Sequence, residues 1–148
     1  MNGEKTMKRK EKMKIYIVKD TSPLNYQVSE EQSGYAINLS ERTFEFAVNI
    51  ILLLKTVSYV KENDVVRYQL AKSGTSVGAN YEESQATNSR ADYRYKIGIS
   101  LKEALESNYW LRIMGRTKMG NQQAVKRLVK ESGEIKAILA TIFNKVSD

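Results

Sequence analysis

An unbroken alternation of three- and four-residue spacings near the C-terminus constrains the fold more than any other feature of this chain. The repeat comprises Val125, Leu128, Ser132, Ile135, Leu139, Ile142 and Val146. This spacing places all seven residues on one face of an α-helix, whereas a strand would need every second residue. The segment is therefore predicted to be an amphipathic helix that packs its apolar face against other helices.

Comparable periods upstream predict three further helices. The first is predicted to begin after Ser40 and to end near Glu62, and the next two are predicted over 65–83 and 90–114. The turn between the last two is short enough to make them antiparallel neighbours. The residues that can cap the four helices are Ser40, Asp64, Ser89 and Asn121. The sequence thus predicts an all-α fold, an antiparallel up-down-up-down four-helix bundle over 39–148.

Residues 1–38 show no clear helical period and are predicted to form a flexible, basic N-terminal extension. Residues 1–14 hold six basic and two acidic side chains, a balance of +4, and the remaining residues hold 18 and 15, a balance of +3. A basic tail of this kind attracts phosphate without specificity. Methionines at positions 1, 7 and 13 leave open whether residues 1–34 belong to the native chain.

No membrane or secretory segment is predicted. The apolar run from Ile15 to Val18 is shorter than the apolar core of a signal peptide, and no small-residue cleavage pattern follows it. The run from Ile50 to Leu54 is also far shorter than the roughly 20 apolar residues that a membrane span requires. We therefore expect a cytoplasmic protein without membrane association.

The chain contains no cysteine and no histidine. Their absence removes disulfides, the Cys-His and Ser-His nucleophile pairs, and nearly all zinc sites. Glu103 and Glu106 lie one helical turn apart, but di-iron sites in helical bundles need a Glu-x-x-His motif. Gly74 and Gly78 lie within a helical pattern, without the Lys-Ser/Thr that ends a phosphate-binding loop. We predict a protein that is not an enzyme and binds no cofactor or metal.

The first predicted helix is apolar on two nearly opposite faces. One stripe contains Phe44, Ala47, Ile51, Leu54 and Ser58, and the other contains Phe46, Ile50, Leu53, Val57 and Val60. Because a monomeric bundle buries one face of each helix, the second stripe is predicted to form an oligomer interface. Trp110, in an aromatic end of the third helix that cannot point wholly inward, is assigned to the same interface. The alternative is that residues 15–18 cover the second stripe.

The most distinctive stretch runs from Leu70 to Leu111 and begins with small and polar residues. Gly74 and Gly78 share one helix face and permit close approach of another helix, with Gly98 and Ser100 expected opposite them. The neighbouring polar stripe contains Ser73, Ser76, Asn80, Glu83 and Ser84. Polar residues beside a glycine seam predict hydrogen bonds between packed helices, since buried polar groups are normally paired. A ligand or nucleic-acid site at this stripe is the alternative.

The runs SGTSVGANYEES and DYRYKIGISLKEALESNYWL resemble the signature of the 23S rRNA intervening-sequence protein family, also called the four-helix bundle protein family. The resemblance covers about residues 38–144, and Glu82 stands where that family commonly has a small apolar residue. The positions that carry the resemblance are Ser73, Ser76, Gly78, Ala79, Asn80, Glu83, Tyr93, Ser100, Glu103 or Glu106, and Leu111.

The resemblance implies a bacterial bundle protein that assembles into a ring, a pentamer, and has no established enzymatic activity. A branch related in fold, the accessory protein of diversity-generating retroelements, is a basic pentamer that binds nucleic acid and a reverse transcriptase. The resemblance therefore implies homo-oligomerisation and makes RNA or DNA the expected ligand.

The predicted function is a non-enzymatic, ring-forming scaffold that binds RNA or DNA through basic patches repeated around the ring. The candidate nucleic-acid-binding residues are Arg90, Arg94, Arg116, Lys118, Lys126, Arg127 and Lys130. The alternative function is that of an adaptor whose ring binds a polypeptide, such as a reverse transcriptase.

Overall fold

The computed structural model describes the backbone of residues 30–146 and the side chains of residues 39–146. Its four helices are α1 (Glu30–Leu54), α2 (Lys61–Gln85), α3 (Arg90–Thr117) and α4 (Gln122–Lys145). They form a helical bundle, which confirms the predicted all-α class for the described part of the chain. The predictions about residues 1–14 and about the apolar run 15–18 fall outside the described residues.

Consecutive helices pack side by side in opposite directions. Between α1 and α2, Thr43 lies against Gly78 near one end of the pair, and the carbonyl of Leu54 accepts a hydrogen bond from Arg67 near the other. The contacts between α2 and α3, and between α3 and α4, likewise run in opposite orders along the two helices of each pair. α1 also contacts α4, which closes the bundle.

The predictions about α4 and two helix caps are confirmed. All seven residues of the three-four repeat are buried, and together they form the face of α4 that contacts the core. Asn121 caps α4 by accepting a hydrogen bond from the N–H of Ala124 at 3.0 Å. Ser89 caps α3 in the same way, with the N–H of Asp92 as its donor at 3.0 Å.

The predictions about the other two caps are wrong. α1 begins at Glu30, within the segment assigned to the extension, and Ser40 lies inside this helix and donates a hydrogen bond to the carboxylate of Glu82 on α2. α2 begins at Lys61 without a side-chain cap, so Asp64 belongs to its first turn. An Asp or Ser can occupy a helix when a partner outside its own backbone, or exposure to water, satisfies its side chain.

Apart from Leu54 and Val60, the two apolar stripes of α1 have roles opposite to those predicted. Phe46, Ile50, Leu53 and Val57 are each at most 2% exposed in the single chain, so the assignment of these four residues to an oligomer interface is wrong. The reason is the glycine seam of α2, which admits this side of α1. Of the two remaining interface candidates, Val60 is 46% exposed, while Trp110 is partly buried and donates a hydrogen bond to Glu106 at 3.2 Å.

The glycine seam itself faces α1 and not α3. A Cβ at Gly74 would lie 2.9 Å from Cγ1 of Ile50, and a Cβ at Gly78 would lie 3.3 Å from the backbone of Thr43. Gly98, which was expected opposite this seam, instead lies beneath the ring of Phe143 on α4. The small residues of α2 and α3 therefore serve two different helix contacts.

Candidate nucleic-acid interface

The two loops at one end of the bundle are joined by a direct hydrogen bond. The backbone N–H of Asn121 donates to the hydroxyl of Thr56 at 2.9 Å. Gly120 makes this approach possible, since its φ is 70° and a Cβ there would lie 3.0 Å from Oγ1 of Thr56. We call this end, residues 55–67 and 112–127, the loop end.

Polar contacts fix the α3–α4 loop at the C-terminus of α3. Lys118 adopts the left-handed conformation, with φ of 56°, and the N–H of Met119 donates to the carbonyl of Met114 at 3.0 Å. The amide of Gln122 lies within hydrogen-bonding distance of the carbonyls of Met114, Met119 and Gly120. The loop thus holds Lys118 outward at a defined position.

Arg67 fixes the α1–α2 loop in a comparable way. Its guanidinium donates hydrogen bonds to the carbonyls of Leu54, Val57 and Ser58 at 2.7–3.1 Å. The same guanidinium lies 4.0 Å from the centre of the Tyr59 ring, which is 86% exposed. A cation–π contact of this kind holds an aromatic ring that no apolar neighbour buries.

The net charge of the bundle is confined to the loop end. Residues 39–146 contain 17 basic and 11 acidic side chains, a net charge of +6. The value of +3 for residues 15–148 is lower because that range adds one basic residue and four acidic ones: Lys19, Asp20, Glu30, Glu31 and Asp148. The loop end holds eight basic and two acidic residues, a net charge of +6, and the rest of residues 39–146 holds nine of each. One end therefore carries a positive field, while the remaining bundle is neutral overall.

Seven of these basic side chains are exposed and form no ion pair with a described residue. They are Lys55, Lys61, Arg112, Arg116, Lys118, Lys126 and Arg127. Because they lie on both loops and on the adjoining ends of α2, α3 and α4, they come to the same end of the bundle only in the folded chain. Exposed and unpaired cations at this density can neutralise phosphate groups.

The structure divides the predicted nucleic-acid-binding residues between two places. Arg116, Lys118, Lys126 and Arg127 belong to the loop end, and Lys130 follows Lys126 by one turn of α4. Arg90 and Arg94 lie near the opposite end of the bundle, since Arg116 follows Arg94 by 22 positions, which is about 33 Å along the helix. The guanidinium of Arg94 also lies 4.0 Å above the ring of Phe143, so one of its two planar faces is already occupied.

Sequence reasoning missed four residues of this surface: Lys55, Tyr59, Lys61 and Arg112. The sequence did contain a signal for Arg112, because residues 107–130 contain six basic residues and no acidic one. The two lysines and the tyrosine gave no comparable signal. They join the surface only because the α1–α2 loop packs against the α3–α4 loop.

The polar stripe of α2 makes the predicted hydrogen bonds to α3. The hydroxyl of Ser107 donates to that of Ser73 at 3.1 Å, and the hydroxyl of Ser100 donates to the carbonyl of Val77 at 2.7 Å. Glu83 forms an ion pair with Lys96. The remaining members, Ser76, Asn80 and Ser84, bond to carbonyls of their own helix. These contacts give the stripe a structural role.

Glu103 and Glu106 occupy different surroundings on α3. Burial, and secondarily the negative charge of Glu106, raises the pKa of Glu103, and Lys72 and Lys102 oppose this effect. Glu106 accepts the hydrogen bond from Trp110 described above. Among residues 39–146, no three carboxylates come together as a candidate metal site.

A groove of about 660 Å³ lies on the outer side of the α1–α2 pair, near the end opposite the loop end. Its apolar lining includes Phe44, which is 59% exposed, together with Ala47 and Ala79, and the acidic side chains of Glu41 and Glu82 also line it. The next outward residue of this face is Ile51, one turn beyond Ala47 and 40% exposed. The exposed apolar face of α1 therefore consists of Phe44, Ala47 and Ile51 from the stripe that was predicted to be buried, whereas Leu54 of that stripe is buried.

These features define a helical-bundle protein with a basic end and an exposed apolar side. No helix among the described residues is long and apolar enough to cross a membrane. The chain belongs to the 23S rRNA-intervening sequence protein family, whose model matches residues 36–141.

A solved relative supports the same assignment. The chain is similar to a protein of unknown function from the S23 ribosomal protein family of Bacteroides thetaiotaomicron, with 36% identity and a TM-score of 0.65. This similarity covers 71% of the present chain and 97% of the Bacteroides chain. No curated protein matches the sequence.

Proposed function

We propose that this protein is a non-enzymatic, ring-forming scaffold that binds nucleic acid through the loop end. The observation that supports the proposal is the charge distribution, because the whole net charge of residues 39–146 lies at this end. Nucleic acids present a regular array of phosphates, and each phosphate that a Lys or Arg neutralises releases counterions and favours binding. The neutral remainder of the bundle offers no comparable attraction.

Assembly into a ring would multiply this surface. The exposed face formed by Phe44, Ala47, Ile51 and Ala79 lies on the side of the bundle, so a neighbouring copy can cover it without covering the loop end. If the rotation axis of the ring runs along the helices, every loop end lies on the same face of the ring. The family resemblance suggests five copies, which would place five basic ends around one axis.

The ring is tested by the double variant Phe44→Glu with Ile51→Glu, with the assembled mass measured by analytical ultracentrifugation. We expect the mass to fall to that of one chain, because each substitution places a charge in the apolar contact. Asn88→Glu with Thr141→Glu adds the same charge at exposed positions away from this face and should leave the mass unchanged. An unchanged mass for the first variant would contradict the proposed interface.

Binding is tested by fluorescence anisotropy with labelled RNA, titrated at several salt concentrations. Lys118→Glu with Lys126→Glu should weaken binding at least tenfold and reduce the magnitude of the salt slope by about 2, roughly one for each lost phosphate contact. Lys102→Glu with Lys145→Glu makes the same charge change outside the loop end and serves as the control. Equal effects of the two double variants would contradict a localised nucleic-acid interface.

The groove beside Phe44 supports the adaptor as a second candidate function. Its apolar lining and its acidic residues, Glu41 and Glu82, would suit an apolar polypeptide segment with basic flanks. Under this alternative, RNA binding would be absent or equally affected by both charge-reversal pairs. A polypeptide would then bind the wild-type protein in this groove, in place of a neighbouring copy, and lose its affinity in Ala47→Glu.

A further inference from the structure

We infer that the loop end binds single-stranded nucleic acid and stacks an unpaired base on Tyr59. This inference rests on the proposed function and specifies its ligand. Tyr59 is the most exposed of the large apolar and aromatic side chains in the described part of the chain, at 86%. An aromatic ring left in water beside unpaired cations has the two components that single-stranded nucleic acids require, a stacking surface and phosphate contacts.

The Tyr59 ring is held in place before any ligand binds. One face of the ring lies against the Arg67 guanidinium, which its three carbonyl hydrogen bonds keep in position. Because Tyr59 is almost wholly exposed, the opposite face remains available to a base. A preorganised ring loses little conformational freedom on binding, which favours affinity.

Basic residues from both loops lie at the same end of the bundle as this ring. Lys55 and Lys61 lie at the two ends of the loop that carries Tyr59. The hydrogen bond from Asn121 to Thr56 brings the α3–α4 loop, with Lys118, to the same end of the bundle. A strand that places one base on Tyr59 therefore meets cations from both loops along its neighbouring phosphates.

The same geometry disfavours a duplex as the ligand. Bases within a duplex are stacked on one another, and an RNA duplex presents a deep, narrow major groove that side chains do not read. Tyr59 can therefore contact a base face only in an unpaired segment, a loop or a strand end. A duplex would use the cations of the loop end but not the ring.

The test measures binding of the full chain to three labelled ligands of equal length: a single-stranded RNA, an RNA duplex and an abasic single strand. Tyr59→Ala is expected to weaken binding of the single-stranded RNA about tenfold or more, in the range of single-base stacking effects. The same variant should not change the salt slope or the binding of the abasic strand, because the phosphate contacts remain. Tyr59→Phe should retain the wild-type affinity.

Tyr95→Ala serves as the matched control, since Tyr95 is an exposed aromatic residue near the opposite end of the bundle, at 67%. Thermal unfolding of each variant tests whether the fold is retained. If Tyr59→Ala loses stability, Tyr59→Phe still tests the inference, because a loss of affinity in this variant, which keeps the ring, would contradict stacking.

Three results would overturn the inference in distinguishable ways. If Tyr59→Ala binds single-stranded RNA like the wild type while Lys118→Glu with Lys126→Glu abolishes binding, stacking is absent and the proposed function stands. If the lysine variant also binds RNA like the wild type, the proposed function fails together with the inference. A preference of the wild type for the duplex over the single strand would likewise overturn the inference alone.

Discussion

Asn121 and Thr56 connect the two halves of the chain at the basic end of the bundle. Asn121 donates its backbone N–H to the Thr56 hydroxyl, while its side chain accepts the N–H of Ala124 and caps α4. The residue that starts the last helix thus also anchors the loop that follows the first. The proposed binding surface depends on this junction, because its cations come from both loops.

Gly120→Ala should disrupt the junction. Gly120 has a φ of 70°, and an added Cβ would lie 3.0 Å from Thr56 Oγ1 and 3.1 Å from Val57 Cγ2. Steric strain and the unfavourable backbone conformation together should lower the free energy of unfolding by about 1–3 kcal/mol. Urea denaturation followed by circular dichroism measures this change.

Gly133→Ala provides the matched control for that experiment. Gly133 lies within α4, and nothing approaches the position of its Cβ within 4 Å. Alanine is a better helix former than glycine by about 0.5–1 kcal/mol, so this variant should be more stable than the wild type. A destabilised Gly133→Ala, or a neutral Gly120→Ala, would contradict the described packing.

Gly74→Ala should loosen the contact between α1 and α2. The new Cβ would lie 2.9 Å from Cγ1 and 3.3 Å from Cβ of Ile50, which is fully buried and close to the α1 backbone. We expect a loss of about 1–3 kcal/mol in unfolding free energy, as for other overpacked cores. At Gly115 the nearest atom, Cγ1 of Val125, would lie 3.7 Å away, so Gly115→Ala should be tolerated in the same denaturation series.

Arg42 provides the charged link between α1 and α4. It donates to both carboxylate oxygens of Glu131, at 2.5 and 2.9 Å, and to Glu134 at 2.5 Å. Arg42→Ala removes these bonds and leaves two carboxylates one turn apart, so we expect a loss of about 1 kcal/mol, the upper range for partly exposed pairs.

The ionic origin of this contribution has its own signature. The loss in Arg42→Ala should diminish as salt is raised, because salt screens the ion pairs and the repulsion between the two glutamates. Arg42→Lys keeps the charge but not the paired hydrogen bonds and should lie between the wild type and the alanine variant. A salt-independent loss would assign the effect of Arg42 to packing alone.

Glu103 should make the bundle less stable as the pH rises. Burial raises its pKa above the ordinary value of 4.5, so the folded chain binds this proton more tightly than the unfolded chain. Its contribution to stability is therefore greatest below the ordinary pKa and is lost as the pH rises through the raised pKa. Glu103→Gln should raise the melting temperature at neutral pH and have little effect below about pH 3, where the carboxyl is protonated in both states.

The exposed Glu45 offers a control for this pH dependence. Glu45→Gln should change the melting temperature little at either pH, since substitutions of exposed side chains without close contacts have small effects on stability. If Glu103→Gln were instead less stable than the wild type at neutral pH, the ionised carboxylate would be a favourable partner of Lys72 or Lys102, contrary to the burial effect.

The local sequence was sufficient to predict a buried face where a helix has a single apolar face, and a helix start where the capping residue bonds to its own helix. The three-four repeat of α4 has a single apolar face, and all of its members are buried as predicted. Ser89 and Asn121 cap the backbone a few residues away, so their role depends on little beyond the adjacent sequence. An interhelical hydrogen bond of Ser73 was also predicted, although its partner Ser107 was not named.

The local sequence gave the wrong result where two faces of one helix had the same apolar periodicity. The stripes that begin at Phe44 and Phe46 have the same spacing and similar hydrophobicity, and the sequence assigned the wrong one to the interior. Ser40 has the chemistry of a cap, yet its hydroxyl pairs with Glu82, which is distant along the chain. Such choices depend on which surface another helix presents.

The helical class, the face that α4 buries and the absence of cysteine and histidine chemistry follow from the amino-acid sequence, because periodicity and capping depend on neighbouring residues and composition needs no fold. Packing between the helices decided that α1 turns Ile50 toward Gly74, since close approach requires a gap in the partner helix. It also decided that Tyr59 and Lys118 belong to one basic end. A single hydrogen bond between two loops brings together residues whose separation along the chain conceals their relation.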